Sequence, residues 1–349
     1  MQEGPRCREH PRDVVKRAFL RSPQPTQCAT VRASPLTRTT TMLRSLCAFA
    51  VVLLAMSAQA AERYVAITID DLPYQRGPTL ADVQLLTDHM LEQIRKQKEP
   101  VMGFVNESKL HDKGPEELAA RTALLEQWLD AGAELGNHTY SHADINVVDF
   151  ESYKQDVLKG GEITRPLLRA RNQTLRYFRH PYLRTGKDEE TKNALEVFLR
   201  EHDYVVAPVT IDNDEWIYAL AYDIAAERKD VATMRRLGQD YIAYMTQAFE
   251  FSEHVATQIF GRDIKHVLLI HVNTLNADYY DELMAMMKAR GYKIVTLAEA
   301  MTDSAYQRQN LYVGPQGWSW LFRWSVGTKL DTSKAPQIPS YIRELSGIE

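Results

Sequence analysis

Cysteine is almost missing from this 349-residue chain, because its three cysteines, Cys7, Cys28 and Cys47, all lie near the start. The chain beyond them therefore offers no disulfide, no thiolate nucleophile and no cysteine ligand for zinc. Long apolar runs and Lys/Arg-rich blocks are also missing, and the formal net charge is −4. These absences argue against a membrane span and against nucleic acid as a partner, and they leave histidines and carboxylates as the metal ligands.

An export signal is predicted shortly before the main body of the chain. Residues 42–60 combine Arg44, the apolar stretch Leu46–Met56 and small residues ending at Ala60, which is the pattern of a secretory signal peptide. Residues 1–41 are rich in Arg, Pro and Thr, and we interpret them as a mis-assigned start or as a disordered arm. We therefore expect a periplasmic or secreted protein with no stable membrane span after signal cleavage.

After residue 60, short β-branched runs alternate with longer segments of helical period. This alternation predicts an α/β fold of about seven parallel strands joined by helices over residues 61–302. Residues 218–260 predict a helical insertion, and residues 303–349 predict an irregular C-terminal tail. The strands are predicted at Val65–Ile69, Val101–Val105, Ala133–Gly136, Leu175–Phe178, Tyr204–Ala207, His266–Ile270 and Tyr292–Val295.

Two polar clusters follow the first and third predicted strands. Asp70 and Asp71 can divide the work of metal ligand and general base, although for such a pair taken alone an Asp that caps a turn beside a solvated neighbour is the commoner arrangement. His138 and His142 are four residues apart. On a helical turn this spacing puts both imidazoles on one face, where they can share a zinc ion.

Three further clusters follow later strands: Arg179-His180-Pro181-Tyr182, Asp212 to Trp216, and His271. Taken singly, these read as an Arg-containing turn, a polar turn and a structural histidine. Taken with the first two clusters, all lie at or shortly beyond the carboxyl ends of predicted strands. This is the face on which barrel enzymes assemble their sites.

The ordered set of clusters resembles the motifs of the polysaccharide deacetylases of carbohydrate esterase family 4, the nodulation-type deacetylases. The resemblance covers roughly residues 64–300. It implies a distorted (β/α) barrel and the metal-dependent hydrolysis of N-acetyl groups from an amino-sugar polymer or oligomer, with release of acetate. The matching residues are Thr68-Ile69-Asp70-Asp71, His138-Thr139-Tyr140-Ser141-His142, Arg179-His180-Pro181-Tyr182, Asp212 with Glu215-Trp216, and Leu269 with His271.

The resemblance also implies a role for each site residue. Asp71, His138 and His142 would bind a divalent metal, most commonly Zn²⁺, with positions left open for water and substrate. Asp70 would be the general base, held by Arg179. The remaining roles implied are general acid for His271, orientation of its ring for Asp212, oxyanion donation for the Tyr182 backbone N–H, and substrate contact for Pro181, Tyr182 and Trp216.

Some features depart from the family pattern. Leu72-Pro73 follows Asp71 where Gly is usual, and Glu215 stands where Asp is usual. Two other functions therefore stay open: an amidohydrolase of small C–N compounds, as in allantoinase-like relatives, and a catalytically inactive carbohydrate-binding barrel. In the tail, four aromatic residues alternate at period two and predict one face of an extended strand: Trp318, Trp320, Phe322 and Trp324. This face would serve packing or a sugar groove, and contact with a membrane surface is the weaker third alternative.

Overall fold

The computed structural model describes residues 62–77, 79–111 and 113–348, so the predicted signal peptide (42–60) and the segment 1–41 lie outside the described residues. A parallel sheet forms the centre, with strand order β5-β4-β3-β2-β1-β6 and β7 beside β1. The strands are β1 Arg63–Leu72, β2 Val101–Val105, β3 Glu134–Asn137, β4 Tyr177–Phe178, β5 Val205–Val206, β6 His266–His271 and β7 Tyr292–Ile294.

Strand β1 is the middle of this sheet. It pairs with β2 from Ile67 onwards and with β6 over Val65–Asp70. At the other edge β4 and β5 are two residues each, and the chain beyond β5 crosses to β6, where Ile211 forms a parallel bridge with Leu268. The bridge brings the two sheet edges together, so the predicted distorted (β/α) barrel of about seven parallel strands is confirmed.

Helices follow the strands and start at residues that cap them. Thr79, Asp149, Asp188 and Asn273 each accept a hydrogen bond from the backbone N–H three residues later, which satisfies a donor that the helix itself leaves free. The longer helices are α1 Leu80–Gln97, α3 Pro115–Asp130, α4 Phe150–Lys159, α6 Glu189–Glu201, α7 Glu215–Glu227, α8 Val231–Phe260 and α9 Thr274–Ala289. The shorter ones are α2 Ser108–His111, α5 Thr164–Arg169, α10 Leu297–Ala300, α11 Trp320–Trp324 and α12 Ser340–Ser346, with 3₁₀ turns at Pro181–Leu183 and Ser304–Gln307.

The predicted insertion is formed by α7 and the 30-residue α8, which pack against each other. The helix predicted over Phe150–Arg171 is instead two helices, α4 and α5, because the chain turns at Gly160. A Cβ added there would lie 2.6 Å from the carbonyl carbon of Thr139, so the first helix ends where it meets the loop after β3. None of the helices within the described residues is long and apolar enough to cross a membrane.

The aromatic tail does not form the predicted extended strand. Trp320–Trp324 is helix α11, and the Trp324 ring is 1% exposed. Trp324 packs edge-on against Phe260 and Tyr306, and its Nε1 donates to the Arg308 carbonyl at 3.0 Å. Burial of this ring against α8 outweighs the local period of two, and the packing interpretation applies to it.

Replacement of Trp324 by Ala should therefore destabilise the folded chain by about 3–5 kcal/mol, because it removes a large buried ring and leaves its cavity. Urea denaturation measures this change in the free energy of unfolding. Val326→Ala, at a side chain that is largely exposed beside it, is the control and should stay within about 0.5 kcal/mol. Equal stability of the two variants would contradict the packing interpretation.

Candidate active site

A break in β1 brings two neighbouring carboxylates to one cleft. Residues i and i+1 of a regular strand point to opposite faces of the sheet. Here Asp71 has φ of +74°, and the register between β1 and β2 shifts between Ile69 and Leu72. This irregularity turns Asp71 back toward the side that Asp70 faces.

The two histidines converge on the same cleft from a loop, and the predicted helical turn is wrong. Residues 138–142 are not helical, and Thr139 and His142 have φ of +63° and +58°. Asn137 Oδ1 accepts from the Thr139 N–H at 2.7 Å, and Asp156 accepts from the Ser141 N–H at 3.0 Å. These contacts fold the loop so that the imidazole centroids of His138 and His142 lie 4.8 Å apart.

Asp71, His138 and His142 form a three-residue set that fits a divalent cation. Their ligand atoms lie within 4.8 Å of one another, wider than the ~3.4 Å between ligand atoms that bond a tetrahedral zinc at ~2.1 Å, so binding an ion would draw them together. His138 Nδ1 lies 2.8 Å from the Arg179 carbonyl oxygen. Since a carbonyl only accepts, that nitrogen carries the proton and Nε2 presents its lone pair to the cleft.

Electrostatics keep each member of this set in the form that binds metal. Burial lowers the pKa of both His138 and His142, so both imidazoles are neutral. Burial opposes the charged form of Asp71, but the positive charge around it, above all that of Lys109, outweighs burial and holds the pKa of Asp71 well below its usual range. Two neutral imidazoles and a carboxylate are the ligand types of a catalytic zinc site.

Lys109 is a neighbour of the site that the sequence did not reveal. Its Nζ lies 3.1 Å from Asp71 Oδ1 and donates to the Asp71 carbonyl at 3.1 Å. It comes from the four-residue helix α2, outside every motif that drew attention in the sequence. An ion bound through Asp71 Oδ1 would therefore share that oxygen with an ammonium group or displace it.

Asp70 and Arg179 form the second charged pair of the cleft, and both are buried. Arg179 Nη1 lies 3.7 Å from Asp70 Oδ2, too long for a direct hydrogen bond, while its Nη2 donates to Thr68 Oγ1 at 2.8 Å. Burial raises the pKa of Asp70 to about 6 despite the opposing charge of Arg179. Asp70 Oδ2 also lies 3.7 Å from His138 Nε2, so the carboxylate borders the three-ligand set.

His271 lies beside Asp70, because the two are register partners on the neighbouring strands β6 and β1. Its Nδ1 bonds Glu215 Oε2 at 2.8 Å, where we expected Asp212 as the partner. Glu215 begins α7 and is fully buried, with Oε1 accepting from the side chains of Asn273 and Asn276 at 2.5 Å each. The longer side chain of Glu reaches the ring from the helix start.

This contact sets the charge of His271. Burial opposes protonation of the ring, but the Glu215 carboxylate outweighs it and raises the pKa of His271 to about 9. Asn273 and Asn276, which fix that carboxylate, follow His271 within five residues. In the sequence, Asn273 and Asn276 could have been identified as polar residues that directly follow a motif at the end of a strand.

The other predicted residues lie around this centre. Asp212 is near Arg179 and Arg323. Burial lowers the pKa of both guanidinium groups, and the negative charge of Asp212 opposes this lowering. The Tyr182 ring is 47% exposed, with its centroid 4.5 Å from that of His142. Pro181 is buried and begins the 3₁₀ turn that contains Tyr182, and Trp216 is half-buried against the main apolar core.

Residues 57–198 match the family model for polysaccharide deacetylase, which confirms the resemblance drawn from the motifs. The match contains the two Asp, the two His and the Arg179 turn, and it ends before Glu215 and His271. No curated protein matches the chain significantly.

Several solved structures are similar to the chain at low identity. They include a CE4 family pseudoenzyme from Bacillus anthracis, at 16% identity and TM-score 0.44 over 69% of this chain and 66% of that chain. They also include the peptidoglycan deacetylase PdaC from Bacillus subtilis, at 18% identity and TM-score 0.43 over 69% and 91%. A family 4 acetyl xylan esterase from Clostridium thermocellum, in complex with cobalt, gives 17% and 0.41 over 68% and 90%. What these proteins act on, and whether they are active, does not transfer at such identities.

The ligand set predicts how metal binding responds to substitution. Asp71→Asn and His142→Ala should each weaken Zn²⁺ binding by about 100-fold or more, because each removes one of three ligands. Equilibrium dialysis followed by metal analysis measures the affinity. His89→Ala, at a histidine on α1 that bonds Asp278, is the control and should bind like the wild type. Undiminished binding by both ligand variants would rule out this set.

Proposed function

Residues 57–198 carry a polysaccharide deacetylase domain, and from this premise we propose that the protein is a metal-dependent hydrolase that removes N-acetyl groups from an amino-sugar polymer or oligomer. One observation carries the proposal. A buried carboxylate, Asp70, stands between the three-ligand set on one side and the protonated His271 on the other. Amide hydrolysis needs this combination of an activated water, a base and an acid.

The residues divide the reaction among them. Asp71, His138 and His142 would hold a divalent ion, most commonly Zn²⁺, which would supply Lewis-acid activation of the acetyl carbonyl and of the attacking water. Asp70 accepts the proton of that water, since its carboxylate is ionised above its pKa of about 6. His271 then donates a proton to the departing amine, which leaves as the free amino sugar.

The turn after β4 would hold the acetyl group. We assign the Tyr182 backbone N–H as donor to the oxyanion that forms on the carbonyl. The half-exposed Tyr182 ring beside His142, with Pro181 and Trp216, would contact the sugar, because an aromatic ring can cover the apolar face of a pyranose. The charge of Arg179 would favour the ionised form of Asp70, and Glu215 would orient His271.

We further propose that the enzyme acts in the periplasm or outside the cell, where such polymers occur. The predicted signal peptide over residues 42–60 supports this location. N-terminal sequencing of the exported protein should find Ala61 first, and a product that keeps residues 42–60 would contradict it.

Acetate release, together with the loss of the small amides, decides among the three functions that the sequence left open. The Zn²⁺-loaded protein is incubated with chitooligosaccharides, peptidoglycan fragments, acetylated xylan and small amides, and Asp71→Asn is the matched control. Acetate from the amino-sugar substrates supports the proposal. Turnover of small amides alone supports an allantoinase-like amidohydrolase, and sugar binding without any turnover supports an inactive carbohydrate-binding barrel.

Asp70→Asn should lower kcat by about 100-fold or more and leave Zn²⁺ affinity nearly unchanged, because the base is lost while the ligands stay. Steady-state kinetics and dialysis on the same preparation measure both. If Asp70→Asn and Asp71→Asn lose metal equally, both carboxylates are ligands and the division of roles is wrong.

The activity should depend on pH as a bell. It rises as Asp70 ionises, through about pH 6, and falls as His271 loses its proton, through about pH 9. A bound cation adds positive charge near both groups, so both limbs should lie at or below these values.

Glu215→Gln tests the alkaline limb. The substitution removes the largest charge that keeps His271 protonated, so burial is opposed only by Asp71 and Asp70 and this limb of kcat/KM should move to lower pH. The acid limb, which belongs to Asp70, should move little. An unchanged alkaline limb in Glu215→Gln would show that His271 is not the acid that the profile reports.

A further inference from the structure

The C-terminal tail packs directly on the turn that carries Tyr182. Gly317 lies so close that a Cβ added to it would stand 1.7 Å from the Tyr182 carbonyl oxygen. Only glycine permits this approach of one backbone to another. A neighbouring contact runs from the Asn146 side chain, in the loop after His142, to the Pro315 carbonyl at 2.9 Å.

Arg323, in helix α11, ties the tail to the same turn. Its side chain is fully buried, and its Nη1 donates to Thr185 Oγ1 at 2.9 Å while its Nη2 donates to the Leu183 carbonyl. On the tail side its Nε donates to the Trp318 carbonyl at 2.9 Å. One planar guanidinium therefore holds both segments in a fixed relation, which a flexible ammonium group could not do.

The turn needs such a restraint because its backbone is strained. Tyr182 and Leu183 have φ of +54° and +53°, two consecutive non-glycine residues in the left-handed region. Residues in this region persist only where the surrounding structure holds them, and they concentrate at functional sites. The tail supplies contacts to the carbonyls of both residues.

Trp320 anchors this arrangement to the barrel. Its backbone N–H donates to the Val209 carbonyl at 2.7 Å, in the segment that crosses from β5 to β6. Its ring stacks near His180 at 6.3 Å between centroids and lies 5.1 Å from the Arg323 guanidinium carbon. The tail is thus fixed on the barrel side as well as on the turn side.

We propose that residues 316–323 are a working part of the active site and that Arg323 is a positioning residue, which fixes the Tyr182–Leu183 turn and with it the Tyr182 N–H. The inference rests on the proposed function in one respect, the use of that N–H as an oxyanion donor. An oxyanion donor stabilises the transition state only if it is held in place before the reaction. Loosening the turn should therefore act on kcat much more than on KM.

Hydrogen exchange tests the positioning without any substrate. In Arg323→Met, the amides of residues 182–185 should exchange at least about 10-fold faster than in the wild type, as measured by mass spectrometry. Arg290→Met is the matched control. Arg290 bonds Glu250 and Glu253 of α8, and none of its hydrogen bonds goes to the turn. This variant should leave exchange at 182–185 unchanged. Unchanged exchange in Arg323→Met overturns the proposal.

Kinetics test the consequence for the reaction. Per bound Zn²⁺, Arg323→Met should lower kcat by about 10- to 100-fold with KM within about twofold, and Arg290→Met should match the wild type. If the rate per protein chain falls only in proportion to the metal-loaded fraction, kcat per bound Zn²⁺ is unchanged. Arg323 is then structural and the proposal is overturned.

Gly317→Ala gives an independent perturbation if Arg323→Met does not fold. The added methyl group must displace the Tyr182 carbonyl, so the same loss of kcat is expected with Arg323 intact. A wild type that releases no acetate from any substrate would refute the proposed function, and exchange at residues 182–185 would then alone decide whether Arg323 holds the turn.

Discussion

Burial of two adjacent carboxylates at the end of β1 is the constraint on which the rest of the site depends. An isolated buried carboxylate takes up a proton, so each of the pair needs a cation. Lys109 faces Asp71 and Arg179 faces Asp70, but at 3.1 Å and 3.7 Å the two compensations are unequal. The pKa of Asp71 consequently falls below its usual range while that of Asp70 rises to about 6. Divergent environments of this kind separate a permanent ligand from a group that exchanges protons.

The barrel supplies the other groups because parallel strands end on one face. Pairing of β1 with β6 sets His271 beside Asp70 without any loop having to reach across the cleft. The helical insertion then stabilises the partner of His271. From α8, the Tyr241 hydroxyl donates to Asn276 Oδ1 at 2.6 Å, and Asn276 donates to the Glu215 carboxylate. A segment that looked like an addition to the fold is thus part of the support for the candidate acid.

Strand positions, and with them the barrel, could be predicted because β-branched runs record burial on both faces of a sheet. The conformations inside the motifs could not. Asp71, Thr139 and His142 adopt positive φ, which no period in the sequence announces and which contacts distant in the chain enforce. The sequence also could not show that His271 bonds Glu215 and not Asp212, because this contact depends on where α7 begins relative to β6. In the tail, the aromatic residues alternate at period two, yet Trp320–Trp324 forms a helix because the Trp324 ring is buried against α8.

The residues of the candidate site come from two parts of the chain, and a substitution in one part can leave the other intact. All three candidate ligands lie within residues 57–198, where the family match falls, whereas Glu215, His271 and the tail contacts come later. The two parts are joined by the β1–β6 pairing and by the bonds that Arg323 makes to the turn after β4. Substitutions in the later part can therefore leave the ligand set intact while they displace the acid or the Tyr182 turn. A chain with a complete ligand set could then be inactive, so the proposed activity requires the contacts that join the two parts as well as the ligands.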